Sequence, residues 1–320
     1  MSSARILGSR QFGRPRASST PGFKLTHYQG VRGTGQETLG ICRFLVVFKA
    51  ESHTRIVLKI GSSLLVDDRG RLNQPWLRSL AADIAELSGA GKELVVVSSG
   101  AIALGRAGLG LPSSGNRLHE KQAAAAVGQI QLSTGWHNAL EEVGLVTAQI
   151  LLTSDDTEHR RRYLNAHDTM ITLISRRAVP VVNENDTVAT DEIRYGDNDR
   201  LAARVAQMIS ADALILFSDV DGLYDRSPAI PGAVHVETVS AITSEIEAMP
   251  GAVGSMHGTG GMATKLIAAR IATAAGCDMF IANGRELHPL KRLVAGRLCT
   301  RFTAAGSAVF ARKRWIAGAH

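Results

Sequence analysis

From Thr54 onward the chain alternates short, unbroken apolar runs with longer helix-spaced segments, and this alternation leaves few folds open. Arg55-Ile56-Val57-Leu58-Lys59-Ile60-Gly61 reads as a buried strand ended by glycine. Residues 75–90 then place Trp76, Leu80, Ile84 and Leu87 at helical spacing, stopped by Gly89 and Gly91. A strand over 93–98 follows, then helical segments around 118–142, an apolar stretch at 145–152 and a helix over 165–177. Further strands are expected at 178–183, 212–217 and 278–282, with helices over 198–210 and about 262–275. Strands that are apolar throughout need cover on both faces, and strand–helix alternation supplies it through crossover connections. The expected fold is therefore α/β, an αβα sandwich with a mostly parallel central sheet.

Charge is distributed unevenly. The chain carries 36 Lys and Arg against 29 Asp and Glu, a net +7. Residues 1–50 hold eight basic residues and only Glu37 as an acid, so residues 51–320 are balanced at 28 of each sign. Bulk charge thus gives the folded body no reason to bind nucleic acid. The segment 1–50 is rich in Gly, Ser, Thr and Arg without periodicity, and reads as a disordered basic extension rather than a targeting peptide, since no amphipathic helix or secretory core stands out. Residues 51–316 are expected to form one domain, with 317–320 as a tail. No run reaches the roughly 18 to 20 apolar residues that span a bilayer. Cys42, Cys277 and Cys299 lie far apart without metal-ligand spacing, which points to a reducing compartment and to no disulfide framework.

Polar and glycine-rich clusters recur where strands end: Lys59–Ser63, Ser98–Ala101, Asn183–Asp186 and Ser218–Gly222. Ligands of open α/β sheets gather at those carboxyl ends. Lys59 stands inside an apolar strand, a costly position unless an anion or carboxylate meets it; the alternative is an edge lysine that snorkels to solvent. Thr259-Gly260-Gly261-Met262-Ala263-Thr264-Lys265 enters an alanine-rich helix, where glycines admit a phosphate to backbone N–H groups and Lys265 adds a charge; the plainer alternative is a flexible loop. No Walker A loop and no strand-linked dinucleotide fingerprint occurs. Asn183-Glu184-Asn185-Asp186 and Gly196-Asp197-Asn198-Asp199 are paired acid–amide clusters suited to an ammonium group, to lysines, or to magnesium through its waters. The inventory suits phosphoryl transfer, which rests on positioning and charge stabilisation, and offers no Ser-His-Asp or Cys-His arrangement.

By these motifs the chain resembles the glutamate 5-kinases of the amino acid kinase family. The resemblance rests on Val57–Ser62, Ser99–Ile102, Lys121–Gln129, Arg162–Ala166, Val182–Asp186, Gly196–Asp199, Asp219–Tyr224, Gly258–Met262 and, at the family's catalytic-domain terminus, Arg312–Ile316. It implies ATP with Mg2+ and transfer to the γ-carboxylate of L-glutamate, the first step of proline biosynthesis, in the cytoplasm. Carried over by motif, Lys59 and Lys265 act on the transferring phosphoryl group, with Asp199 orienting them or magnesium. Ser99, Gly100, Asp186, Asp197 and Asn198 would bind glutamate. Lys59, Ser218, Asp219 and the run Thr259, Gly260, Gly261, Met262, Ala263, Thr264, Lys265 would bind ATP.

The resemblance also implies feedback inhibition by proline, homo-oligomers and a downstream glutamyl phosphate reductase, with neither nucleic acid nor membrane as partner. Many such enzymes continue into a PUA domain; the sequence ends at His320, where that domain would begin, and reads as a short form or a truncated product. Two departures accompany the match: the basic extension has no counterpart, and Ser218 stands where threonine is more usual. A sister kinase of the acetylglutamate or aspartate type is the nearest alternative, and a non-catalytic glutamate or proline sensor of the same fold the other.

Overall fold

The computed structural model describes residues 48–112, 116–189, 197–249 and 261–305. The basic extension up to residue 47 and the run Arg312–Ile316 lie outside the described residues.

Among the described residues there are ten strands: β1 (Arg55–Ile60), β2 (Glu93–Ser98), β3 (Thr147–Leu152), β4 (Val179–Glu184), β5 (Ala213–Ser218), β6 (Leu223–Tyr224), β7 (His235–Val236), β8 (Thr238–Val239), β9 (Asp278–Asn283) and β10 (Cys299–Phe302). The helices are α1 (Ser62–Leu65), α2 (Gln74–Gly89), α3 (Ala101–Leu109), α4 (Leu118–Glu141), α5 (Ser154–Glu158), α6 (Arg160–Ser175), α7 (Asp197–Met208), α8 (Ser244–Ala248), α9 (Met262–Ala274) and α10 (Pro289–Val294). Eight strands form one sheet in the order β3-β4-β2-β1-β5-β9-β10-β8, and β6 pairs with β7 apart from it. Every neighbour in the large sheet is parallel except β9 and β10.

The alternation of side chains along each strand divides the core into two layers. On β1, Ile56, Leu58 and Ile60 face one side with α2, α3, α4 and α10, while Val57 faces the other with α6, α7 and α9. Both faces are thus dry, which is why these strands read as continuous apolar runs. The αβα sandwich expected from the sequence is the fold observed.

Two differences have physical causes. The third helix of the sequence reading begins at Arg160 rather than 165, with its first polar turn preceded by the short α5, capped by Thr153. Phe48, assigned by sequence to the extension, is buried; it stacks on His53 at 5.2 Å and meets Phe280 edge-on at 5.0 Å. The packed chain therefore starts before residue 51.

Two close contacts fix the packing around the sheet. Gly105 of α3 and Gly128 of α4 let those helices touch backbone to backbone: a Cβ on Gly105 would sit 1.7 Å from the Ala124 carbonyl oxygen. At the opposite, amino end of the parallel strands, Asp278 gathers His53, Arg301 and the Ala304 N–H on one carboxylate.

Candidate active site

β1 and β2 run in register, so Ile60 and Ser98 end side by side at the carboxyl edge of the sheet. One residue before its end, β1 turns Lys59 toward the layer formed by α7 and α9. Those helices supply the partners. Lys59 Nζ lies 2.6 Å from Asp199 Oδ1, and Lys265 Nζ lies 3.2 Å from Asp199 Oδ2. Asp199 is fully buried, and Lys59 and Lys265 are 7% and 4% exposed. Residues 206 positions apart in the chain, 59 and 265, thus meet across one carboxylate. The snorkelling alternative for Lys59 is excluded by its burial.

Both ammonium groups face the Asp199 carboxylate, and the charge of Asp219 also acts on Lys59. Burial lowers the Lys59 pKa from its ordinary value, Asp199 works against that, and the neighbouring Lys265 charge adds to it. For Asp199, burial pulls the pKa upward, but the two lysine charges and a hydrogen bond from Thr264 overcome it and hold the carboxyl below its ordinary value. Thr264, on the first turn of α9, places its hydroxyl 3.0 Å from Asp199 Oδ2 and 2.8 Å from the Gly261 carbonyl. Sequence reading grouped Thr264 with a phosphate loop; its described contacts are to the carboxylate that organises the lysines.

Beside this cluster lies an amide and hydroxyl group. Asn198 Nδ2 is 2.8 Å from Ser99 Oγ and 3.2 Å from both the Ser98 carbonyl and Asn183 Oδ1. Gly100 follows with φ of 108°, a left-handed conformation that favours glycine, and starts α3. The Ser98 hydroxyl, on the core side, accepts from Trp136 Nε1 at 2.9 Å. Asp186 is buried in the turn after β4 and lines an open cavity of about 250 Å³ with Gln129 and Glu184.

At the end of β5, the Ser218 hydroxyl donates to Asp219 at 3.0 Å, and Arg285 approaches that carboxylate at 3.8 Å. Gly261 precedes α9; Met262 is half-buried and Ala263 exposed. The Asp197 side chain, Thr259 and Gly260 lie outside the described residues. Among the described residues no group of three or more His, Cys, Asp or Glu could hold a metal ion. Both oxygens of Asp199 face ammonium groups, so the donor set fits a magnesium carried by phosphates and waters rather than one caged by protein. Sequence reasoning named Asn183 only as part of an acid–amide cluster and gave Gln129 no role; Asn183 bonds both Gln129 and Asn198.

Residues 54–283 match the amino acid kinase family. Glutamate 5-kinase of Paramagnetospirillum magneticum is 57% identical over 266 residues, spanning 82% of this chain and 72% of that protein. Glutamate 5-kinase 1 of Rhizobium meliloti is 56% identical over 269 residues, 84% of this chain and 68% of that protein. Among solved structures, UMP kinase from Ureaplasma parvum matches with a TM-score of 0.54 at 16% identity, covering 78% of this chain and 98% of that one. Carbamate kinase from Giardia lamblia bound to AMP-PNP matches with a TM-score of 0.55 at 17% identity, covering 79% and 99%. The chain belongs to the amino acid kinase family and, within it, to the glutamate 5-kinases.

Proposed function

We propose that this protein transfers the γ-phosphoryl group of ATP to the γ-carboxylate of L-glutamate, giving γ-glutamyl phosphate and ADP for proline biosynthesis. The observation that carries the reading is the convergence of Lys59 and Lys265 on Asp199 at the carboxyl edge of the sheet.

The chemistry needs no general base. A glutamate side chain has a reference pKa of about 4.3 and is already a nucleophilic carboxylate near neutral pH. One carboxylate oxygen forms a bond to the γ-phosphorus, the bond from that phosphorus to the bridging oxygen breaks, and the electron pair leaves with ADP. No proton is required at either end. The barrier lies in bringing two anions together, and the two buried ammonium groups oppose that repulsion in a site with little water. Asp199 holds both lysines in place, so that they need not reorganise as charge develops. Mg2+ would reach the site on the nucleotide's phosphates and neutralise part of their charge.

Ser99 and Asn198 are assigned to the glutamate, with Gly100, Asp186 and Asp197 beside them. The remaining face, formed by Ser218, Asp219 and the start of α9 with the loop before it, is assigned to ATP. Cytoplasmic location fits the buried free thiols Cys277 and Cys299 and the lack, among the described residues, of any helix long and apolar enough to cross a membrane. Proline inhibition, homo-oligomeric assembly and hand-over of the reactive acyl phosphate to a reductase belong to the same reading through the family.

Incubating the purified protein with ATP, Mg2+, glutamate and hydroxylamine tests it, because hydroxylamine traps the acyl phosphate as γ-glutamyl hydroxamate. ADP release with acetylglutamate or aspartate but not glutamate would overturn it.

A further inference from the structure

Beside Asn198, half-buried like Gln129, the amides of three residues form a chain with a single direction. Gln129, on α4, offers Oε1 to Asn183 Nδ2 at 2.8 Å. Asn183, 3% exposed at the end of β4, offers Oδ1 to Asn198 Nδ2 at 3.2 Å. The same Asn198 Nδ2 meets the Ser98 carbonyl and Ser99 Oγ. Asn198 Oδ1 is buried and has no hydrogen-bond partner among the described residues.

An amide has a donor end and an acceptor end of almost equal shape, so only its partners decide which end faces which way. Ser99 cannot decide, since a hydroxyl either donates or accepts. The Ser98 carbonyl can only accept and is one discriminator. Asn183 Oδ1 is the other, but only while Asn183 itself is held. A flipped Asn183 would present its own NH2 to the NH2 of Asn198, donor against donor. What holds Asn183 is the acceptor on Gln129.

We propose that Gln129 and Asn183 are positioning residues that lock the amide of Asn198 with its oxygen toward the substrate. That oxygen is an acceptor suited to a ligand donor, the α-ammonium group of the amino-acid substrate. The inference deepens the proposed function and rests on its assignment of Asn198 to glutamate. An unpaired buried acceptor is expensive, so the site favours a ligand that donates there over a carboxylic acid lacking the amine.

Gln129→Met, close in shape, deletes the acceptor; Gln129→Glu keeps it. The expected result is a rise in KM for glutamate of about tenfold in Gln129→Met, the size of one lost buried hydrogen bond. KM for ATP and kcat stay within about twofold, and Gln129→Glu recovers most of the loss. Thermal melting of each variant accompanies the kinetics. A glutamate KM within twofold of the parent in Gln129→Met overturns the proposal, as does an equal loss in both substrates that tracks a lowered melting temperature. Should Gln129→Met fail to fold, Asn183→Leu, which is close in size and removes the acceptor offered to Asn198, is read by the same KM split. Two controls separate the underlying reading from this one. Absence of γ-glutamyl hydroxamate from the parent protein, or an unchanged glutamate KM in Asn198→Ala, overturns the assignment of Asn198 and the relay with it. A raised KM in Asn198→Ala with none in Gln129→Met overturns the relay alone.

Discussion

The ammonium group of Lys59 lies 2.6 Å from the carboxylate of Asp199, in a contact shut away from solvent. A lone pair of this kind would be weak support for a fold, because desolvation offsets most of the attraction. Here the same carboxylate also holds Lys265, so removing its charge strands two buried cations. Asp199→Asn is expected to lower kcat roughly a hundredfold, as loss of a charge-organising donor set does. It should also cost about 3 kcal/mol of stability. Steady-state kinetics with denaturant melts checks both; a variant that loses rate but keeps full stability would contradict the account.

Lys59→Ala and Lys265→Ala should each lower turnover by roughly a hundredfold or more. Near-normal turnover in either purified variant would remove the role given to it.

The state of Lys59 sets an alkaline limit. The lysine works as a cation, and burial holds its pKa below the ordinary 10.5. As pH rises, the charge is lost earlier than from a free lysine. The kcat/KM profile, which reports the free enzyme, is therefore expected to fall with a midpoint below 10.5. An activity that holds flat through that pH would be inconsistent with the buried lysine as a charge donor.

Gly105 and Gly128 set the spacing of α3 and α4, and α3 begins directly after Ser99-Gly100. An alanine at 105 would drive its methyl into the Ala124 carbonyl. Gly105→Ala should cost about 3 kcal/mol through overpacking. Because α3 can only move with its first turn, KM for glutamate should rise with the drop in melting temperature. A stable variant with an unchanged KM would show that the helices have slack that the geometry denies.

Acid stability depends on Asp278. Burial would raise its pKa, but hydrogen bonds from His53, the Ala304 N–H and Arg301 bring it down to about 2 from 3.8. A depressed carboxyl pKa contributes stability above the unfolded value, lost as pH falls through the folded one. The contribution, about 1 to 2 kcal/mol after allowance for partial exposure, should be complete near neutral pH. It should fade between 3.8 and about 2. Asp278→Asn is expected to be less stable than the parent at pH 7 and to converge with it as pH falls to about 2. Parallel stability curves over that range would refute the assignment.

How legible all this was in the sequence varies with the distance over which each feature acts. Strands such as β1 and β5, buried on both faces, declare themselves locally, because dryness on both sides needs an unbroken apolar run. Lys59 could be picked out for the same reason: a charge in such a run must be answered. The answer was less visible. That Asp199 binds both lysines depends on α7 and α9 packing on one face of the sheet, a relation between segments 66 residues apart at Asp199 and Lys265. The antiparallel β10 and the two-residue strands β6, β7 and β8 are too short to carry a period. Gln129 was hidden differently, and Asn183 stood out only as one member of an acid–amide cluster. An amide at a helix face or a strand end is ordinary in any sequence, and only the direction of its hydrogen bonds gives it a purpose.

The anchoring of His53, Arg301 and Ala304 on Asp278 has one more consequence. The beginning and the finish of the described body are knotted to the same point, on the pole away from the lysines. The covalent order of the chain is then partly arbitrary. A circular permutant that joins residue 305 to residue 48 by a short linker, and opens instead in the exposed turn around Gly232, would keep the lysines, the carboxylate and the glutamate amides where they are.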